Sequence, residues 1–418
     1  MKRIISLIAL LLVLSMLPLA MFGCNSTEGE TSATTTKPSG TSGTTSGNSG
    51  ALVGTAYEVK DNLDKIKING RYVITNRGVA CDNVGSGIEF QGTMKGKVYL
   101  EIETVAVSGS TDGIYYTVYV DGVRQEERFK AKAGNKSTIL TIADLGDPEA
   151  QHHIRVVKQT EARYARGQFG ALTIDGTLGE RPADRKYYVE FVGSDLICGM
   201  GNYNGLPEHE PSVAQTAQYE DGTTSVSFIT AEALHADVSI LGLSGMGVAG
   251  SWFKGSVNGV HGHITAPFYY KMNSYYRDKT TEYDFSKGRT PDLIVLNIGK
   301  NDCNIPKDER PDADTFKAAA KEYLQFLKAT HGEDVKIIWT YDITEANPDK
   351  GLEANDCRYL DATEVINALG GEQAGIYIYQ IYTNRLGGQE HTNAEGHVQA
   401  AQGLLDFIRE KGILPVGQ

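Results

Sequence analysis

After Arg181 the chain settles into short apolar runs, YYVEFVG, ADVSILGL, PDLIVLNIG, VKIIWTYD and GIYIYQIY, separated by stretches of helical periodicity. Continuous apolar strands suit a sheet buried on both faces, because a half-exposed strand alternates apolar with polar residues. The pattern therefore predicts a parallel α/β sheet covered by helices on both sides. Phe316, Ala320, Tyr323, Leu324 and Leu327 fall on one helical face, with Asp312 or Asp314 available as N-cap. Ala401, Leu404, Leu405 and Ile408 form a second such stripe near the C-terminus.

Residues 53–180 follow a different rule. Their segments GIEFQG, GKVYLEIET, GIYYTVYVDG, STILTIADLG, HHIRVVKQ and GALTIDG are short, broken by Gly, Asp and Asn, and lack helical periodicity. Tyr116, Val118 and Val120 alternate with Thr117 and Tyr119, which predicts an antiparallel sandwich or jelly roll. A chain of 418 residues is long enough for two cores. The expected organisation is thus an all-β domain at 53–180 and an α/β domain at 181–418. His152 and His153 lack further ligands at metal spacing and read as a solvated strand end.

The N-terminus carries Lys2 and Arg3 and then an apolar run ending at Cys24, the grammar of an export signal. A signal that stops at a cysteine resembles a bacterial lipoprotein signal, which implies removal of residues 1–23 and acylation of Cys24. A plain signal or a retained anchor is the alternative. Residues 24–52 are mostly Ser, Thr and Gly, too poor in apolar side chains to fold and suited to a flexible tether. The expectation is an exported chain, lipid-anchored on the outer face of the cell membrane. With 40 basic against 52 acidic residues, the formal charge of -12 disfavours a nucleic-acid partner. Cys81, Cys198, Cys303 and Cys357 show no CxxC spacing, so a zinc site is not indicated and a single disulfide is left without an assigned pairing.

In open α/β sheets chemistry gathers at the carboxyl ends of the strands. Four such ends here carry polar residues: Gly193, Ser194 and Asp195; Ser244, Gly245 and Met246; Gly299, Lys300, Asn301 and Asp302; and the segment holding His391. A serine, a histidine, an asparagine and bare glycine backbone on separate strand ends are the parts that acyl transfer needs.

On these four blocks, and on the segment HHIRVVKQTEARYARGQFGALTIDG with its Lys-x-Thr-Glu turn, the chain resembles the SGNH (GDSL-type) hydrolases, and specifically the family-2 carbohydrate esterases. The resemblance implies a jelly roll before a flavodoxin-like parallel-sheet domain. It implies removal of acetyl groups from plant polysaccharides such as xylan or glucomannan, without metal or organic cofactor. By position it gives Asn301 and the Gly245 amide the oxyanion, together with the nucleophile's own amide, and gives His391 the role of general base. His397 is expected to pack on its helix.

Three departures stand out. The family reads Gly-Asp-Ser where this chain reads Gly193-Ser194-Asp195, so an ungapped match puts Asp195 at the nucleophile position and moves the serine back by one residue. Before His391, Gly388 and Gln389 stand where an orienting carboxylate is usual, and Lys300 replaces a small residue and places a charge at the site mouth. Two functions are expected in consequence. One is a tethered carbohydrate O-acetyl esterase acting through Ser194 and His391; the other is a catalytically degenerate, polysaccharide-binding lipoprotein of the same fold.

Overall fold

The computed structural model describes residues 52–107, 113–132, 134, 137–203, 217–257, 260–274, 277–344 and 358–415. Cys24, the signal segment, the tether except Leu52, and Cys357 lie outside the described residues.

The first region is an eleven-stranded antiparallel sheet. Its spine is the long strand β1 (Gly87–Ala106), flanked by β3 (Ala150–Lys158) and β4 (Ala165–Leu178), with β2 (Ile114–Val120) beyond β3. Ile88, Phe90, Leu100, Tyr116, Val118, Val156 and Phe169 supply its core. Two of the intervening residues of β2 meet the second region. Thr117 is buried and its hydroxyl lies 3.3 Å from that of Thr223, while Tyr119 stacks on Phe228 at 6.4 Å. The second face of this sheet edge is therefore covered by the region that follows. His152 and His153 are likewise partnered rather than simply solvated: their rings meet Asp121 and Glu89, each at 2.8 Å.

The second region is a five-stranded sheet, parallel throughout, built from β5 (Tyr187–Gly193), β6 (Ala236–Gly242), β7 (Leu293–Asn297), β8 (Lys336–Thr344) and β9 (Ile376–Thr383), in the order β6-β5-β7-β8-β9. The apolar runs behave as their composition requires. Leu293 and Val295 join one core with Val189 and Phe191, whereas Ile294 and Leu296 join the opposite core with Ile337 and Trp339. Helix α4 (Ala313–His331) covers the latter face through Phe316, Ala320, Tyr323, Leu324 and Leu327, joined by Ala362, Val365 and Ile366 of α5 (Tyr359–Ala368), and Asp312 caps α4 by accepting the Thr315 N–H at 2.7 Å. Helices α2 (Val226–Ala233) and α6 (Ala394–Glu410) cover the former, α6 through Ala401, Leu404, Leu405 and Ile408. Two further elements are one turn long: α1 (Asp195–Cys198) follows β5, and α3 (Asn301–Asn304) follows β7.

Register fixes where these ends meet. Gly193, the last residue of β5, lies opposite Gly242 of β6 and Asn297 of β7. Ser194, the Leu243–Gly245 turn and the Ile298–Asn301 turn must then emerge along one edge. Because the chain runs from β5 outward to β6 and then back across to β7, this edge is also the topological switch point, where open α/β sheets form their crevice.

The two regions share buried polar contacts. Arg71 reaches from the first to Glu190 on β5 at 3.2 Å, donates to the Tyr270 carbonyl at 2.5 Å, and lies over the rings of Tyr270 and Tyr283 at 4.4 and 4.1 Å. Cys303 is disulfide-bonded, while Cys81 and Cys198 are free and buried. Burial raises both free thiols, leaving them protonated and poor nucleophiles.

Candidate active site

The site lies at the shared strand edge, in a cleft of about 230 Å³ whose lining includes Ser194, Asp195, Lys300, Asn301, His391 and His397. Its geometry turns on Ser194, the residue preceding the single turn α1. The Ser194 hydroxyl accepts the Gly245 N–H at 2.7 Å and an Asn301 side-chain N–H at 2.8 Å, and it donates to the Asp195 carboxylate at 2.9 Å. A hydroxyl has one proton and two lone pairs, so these bonds use its full capacity. Its backbone N–H is also engaged, by the Asn297 carbonyl at 3.3 Å.

Asp195, by contrast, faces the histidine. Its Oδ1 stands 3.7 Å from His391 Nε2, with the carboxylate side chain 30% exposed to the cleft. Burial works to raise the Asp195 carboxyl, but the facing His391, the Ser194 hydroxyl and the charge of Arg163 outweigh it and hold the group below the ordinary carboxylate range. The same contact acts reciprocally on His391. Burial works to lower the imidazole, and the Asp195 charge together with the Gly388 and Gln389 carbonyls raises it above its ordinary value. Asp195 and His391 thus each favour the charged form of the other.

On its other side the His391 ring is held by a backbone carbonyl. Its Nδ1 donates to the Gly388 carbonyl at 3.1 Å, in a loop where Gln389 and Glu390 adopt φ of 55° and 57°. Such left-handed residues are costly outside glycine and mark a loop whose shape is imposed by its surroundings. One imposing element is Gly201, at φ 72°, whose carbonyl accepts the Gly388 N–H at 2.8 Å. A Cβ at Gly201 would fall 2.3 Å from the Gly388 oxygen and 3.0 Å from the His391 Cβ, so only glycine lets the two loops touch. His397 is fully buried on α6; its Nδ1 accepts the Val226 N–H at 3.1 Å, and burial followed by the His391 charge depresses its pKa to about 3.

Glu161 ends the Lys-x-Thr-Glu turn between β3 and β4. Fully buried, it accepts the Ser244 N–H at 2.6 Å and also the Ser244 hydroxyl, and so fixes the turn that presents Gly245. Asp302 does the same for the next stretch, accepting the N–H groups of Val248, Ala249 and Gly250 at 2.7 to 2.8 Å. Opposite them, Asn297 donates to Thr340 at 2.9 Å and to Asp342 at 2.8 Å, and Lys300 stands 3.6 Å from Asp342. The charge of Lys300 at the cleft is thus balanced by a carboxylate.

No protein-family model and no curated protein sequence matches the chain. Solved structures do. A family-two carbohydrate esterase from Clostridium thermocellum, in complex with cellohexaose, aligns with a TM-score of 0.68 at 23% identity, over 84% of this chain and all of the other. One from Cellvibrio japonicus aligns at 0.70 and 17% identity, over 85% and 97%. An acetyl xylan esterase from Butyrivibrio proteoclasticus aligns at 0.70 and 21%, over 87% and 100%. The fold is that of the family-two carbohydrate esterases.

Within this family-two fold, the sequence-predicted cleft residues converge. Gly245, Asn301, Ser194, Asp195 and His391 all come together at one strand edge. The approach required for serine acyl transfer is not made, however: among the described residues no hydrogen bond joins Ser194 to His391, and Asp195 is the residue that faces the imidazole. The physical reason is the one-residue exchange. Position 194 lies between the end of β5 and the helical turn, with its side chain bonded inward to Gly245 and Asn301, whereas position 195 opens the helical turn and faces the cleft.

Proposed function

We propose that this chain is a carbohydrate-binding protein built on the esterase fold, with the strand-edge cleft as its glycan site. The observation that carries this reading is the saturation of Ser194. Its oxygen occupies the two donors, Gly245 N–H and Asn301 Nδ2–H, that an oxyanion would need, and its proton goes to Asp195 instead of His391. The rest of the cleft lining includes the polar side chains of Lys300, Asn304, Asp342, Arg385 and Gln389, a composition that suits sugar hydroxyls. Beside Gly245 the indole of Trp252 is 55% exposed, an apolar face of the kind on which a sugar ring stacks. The cellohexaose named with one fold neighbour supports a polysaccharide partner.

A second reading is favoured by the retained Gly245, Asn301 and His391 and by the esterases among the fold neighbours: O-acetyl esterase activity on xylan or glucomannan, with Ser194 as nucleophile. It requires the first turn of α1 to re-register so that Ser194 leaves its donors and meets His391. Acetate release from acetylated xylan, measured beside retention of the chain on insoluble xylan and glucomannan, separates the two. Saturable retention with negligible release supports binding; rapid release abolished by Ser194→Ala supports the esterase. No organic cofactor or metal enters either reading.

In both readings we place the jelly roll at 53–180, the SGNH-type domain at 181–418, and a lipid on Cys24 that holds the chain to the outer face of the membrane. Incorporation of labelled fatty acid, lost in Cys24→Ser, tests the tether.

A further inference from the structure

We propose that the Ser194/Asp195 exchange makes the cleft select unesterified sugar, so that it binds a glycan with free hydroxyls in preference to the same glycan O-acetylated. This rests on the carbohydrate-binding reading and adds to it the chemical state of the ligand.

The argument is one of donors and acceptors. An acetyl ester offers only acceptor oxygens, and the two donors best placed to receive a carbonyl are already bonded to Ser194 at 2.7 and 2.8 Å. An arriving ester must break those bonds or leave its carbonyl unpaired. The Asp195 carboxylate presents the opposite preference. When ionised it only accepts. Of its two oxygens, Oδ2 receives the Ser194 hydroxyl, and Oδ1 faces His391 across 3.7 Å, too far for a direct hydrogen bond.

That gap suits a hydroxyl. An oxygen seated about 2.8 Å from each group would donate its proton to Asp195 Oδ1 and accept the Nε2–H of a protonated His391. Acetylation of this hydroxyl removes the proton that Asp195 needs and brings further acceptors toward a carboxylate. A site built to bond an O–H discriminates strongly against the analogue lacking it, because its own polar groups are then left unpaired.

The probes are cellohexaose, xylohexaose and mannohexaose, each unmodified and partially O-acetylated, titrated calorimetrically into the full-length chain while acetate is monitored. For the hexasaccharide that binds, the unmodified form should bind at least about tenfold more tightly than its acetylated partner. In Asp195→Asn, whose amide can donate to an ester carbonyl, the ratio should fall to about twofold or less, with near-ultraviolet circular dichroism unchanged. Equal or tighter binding of the acetylated form by the natural chain overturns the inference while leaving carbohydrate binding intact, and that comparison requires no variant. Discrimination that persists in a folded Asp195→Asn protein overturns it as well. Turnover of the acetylated probe does the same and supports the esterase reading. Binding of no hexasaccharide in either form overturns carbohydrate recognition itself and this inference with it.

Discussion

Glu161 accepts the Ser244 N–H at 2.6 Å, so a carboxylate from the antiparallel region holds the turn that presents Gly245 in the parallel one. Around it the burial is complete. Glu220 accepts the Glu161 N–H at 2.7 Å, and burial together with the Glu161 charge pushes the Glu220 carboxyl well above the ordinary range. Arg163 supplies the counter-charge, 3.3 Å from Glu161.

Removing this carboxylate should therefore do two things. Glu161→Ala strands the buried Arg163 charge and the Ser244 N–H, which should cost about 3 kcal/mol in urea unfolding. Glycan retention should weaken in the same variant even where it is still folded, because Gly245 is no longer fixed. If retention matches the natural chain while stability drops, Glu161 serves the fold alone.

A second charge crosses between the regions at Arg71. Its partner Glu190 lies in the middle strand segment of β5 and also accepts the Tyr188 hydroxyl at 2.8 Å. Arg71→Ala leaves that carboxylate buried without its cation, and a loss of about 3–5 kcal/mol is expected. Adding Glu190→Gln to Arg71→Ala should recover part of the loss, a coupling that a double-mutant cycle measures. For the same reason residues 181–418 expressed alone should be markedly less stable than the whole chain. A fragment as stable as the parent would show that the charges contribute little across the proposed boundary at 180.

The Asp195–His391 pair gives a pH dependence with a definite sign. His391 is raised by its partner, so its contribution to stability is fully present below the ordinary imidazole pKa near 6.5 and is lost as pH rises through the higher folded value. Asp195 is depressed, so its contribution is present above the ordinary carboxylate pKa near 4 and is lost as pH falls toward its lower folded value. Between these limits both charges are in place. His391→Gln should accordingly destabilise more at pH 6 than at pH 9, by about 1 kcal/mol for a pair this exposed. Urea midpoints at the two pH values provide the check; an equal loss at both would mean that the ion pair contributes nothing.

Much of this architecture can be read from the sequence because it depends on periodicity. Continuous apolar runs such as PDLIVLNIG gave both cores a supply of side chains, and the Asp312 cap follows from its place before the stripe at Phe316. The strand-end blocks likewise converge, since parallel register aligns Gly193 with Gly242 and Asn297. The orientation of residue 194 is not encoded in that way. A serine and an aspartate in either order satisfy the same turn, and only the positions of Gly245, Asn301 and His391 decide which side chain meets which. Nor could Glu161 be paired with Ser244 by any local rule, 83 residues away. The alternation in β2 likewise does not say what lies against Thr117 and Tyr119, which meet Thr223 and Phe228 of the second region.

The exchanged pair can be tested by reversing its consequence. Asp195 already faces His391 across 3.7 Å, so a serine at 195 would direct its shorter side chain toward the imidazole. Two obstacles must be removed together: the carboxylate at 195, which would repel a developing oxyanion, and the Ser194 oxygen, which occupies the Gly245 and Asn301 donors. Ser194→Ala combined with Asp195→Ser does both. Ser194→Asp with Asp195→Ser restores the Gly-Asp-Ser order but leaves an acceptor at 194 able to hold those donors. Both double variants should release acetate from p-nitrophenyl acetate faster than the natural chain, by about 100-fold or more where the oxyanion donors are free. The single change Asp195→Ser should gain less than the alanine combination, because Ser194 still fills the hole. If the natural chain turns over rapidly, Ser194→Ala abolishes it and both double variants are inactive, then the displaced serine is the nucleophile and the turn re-registers in solution.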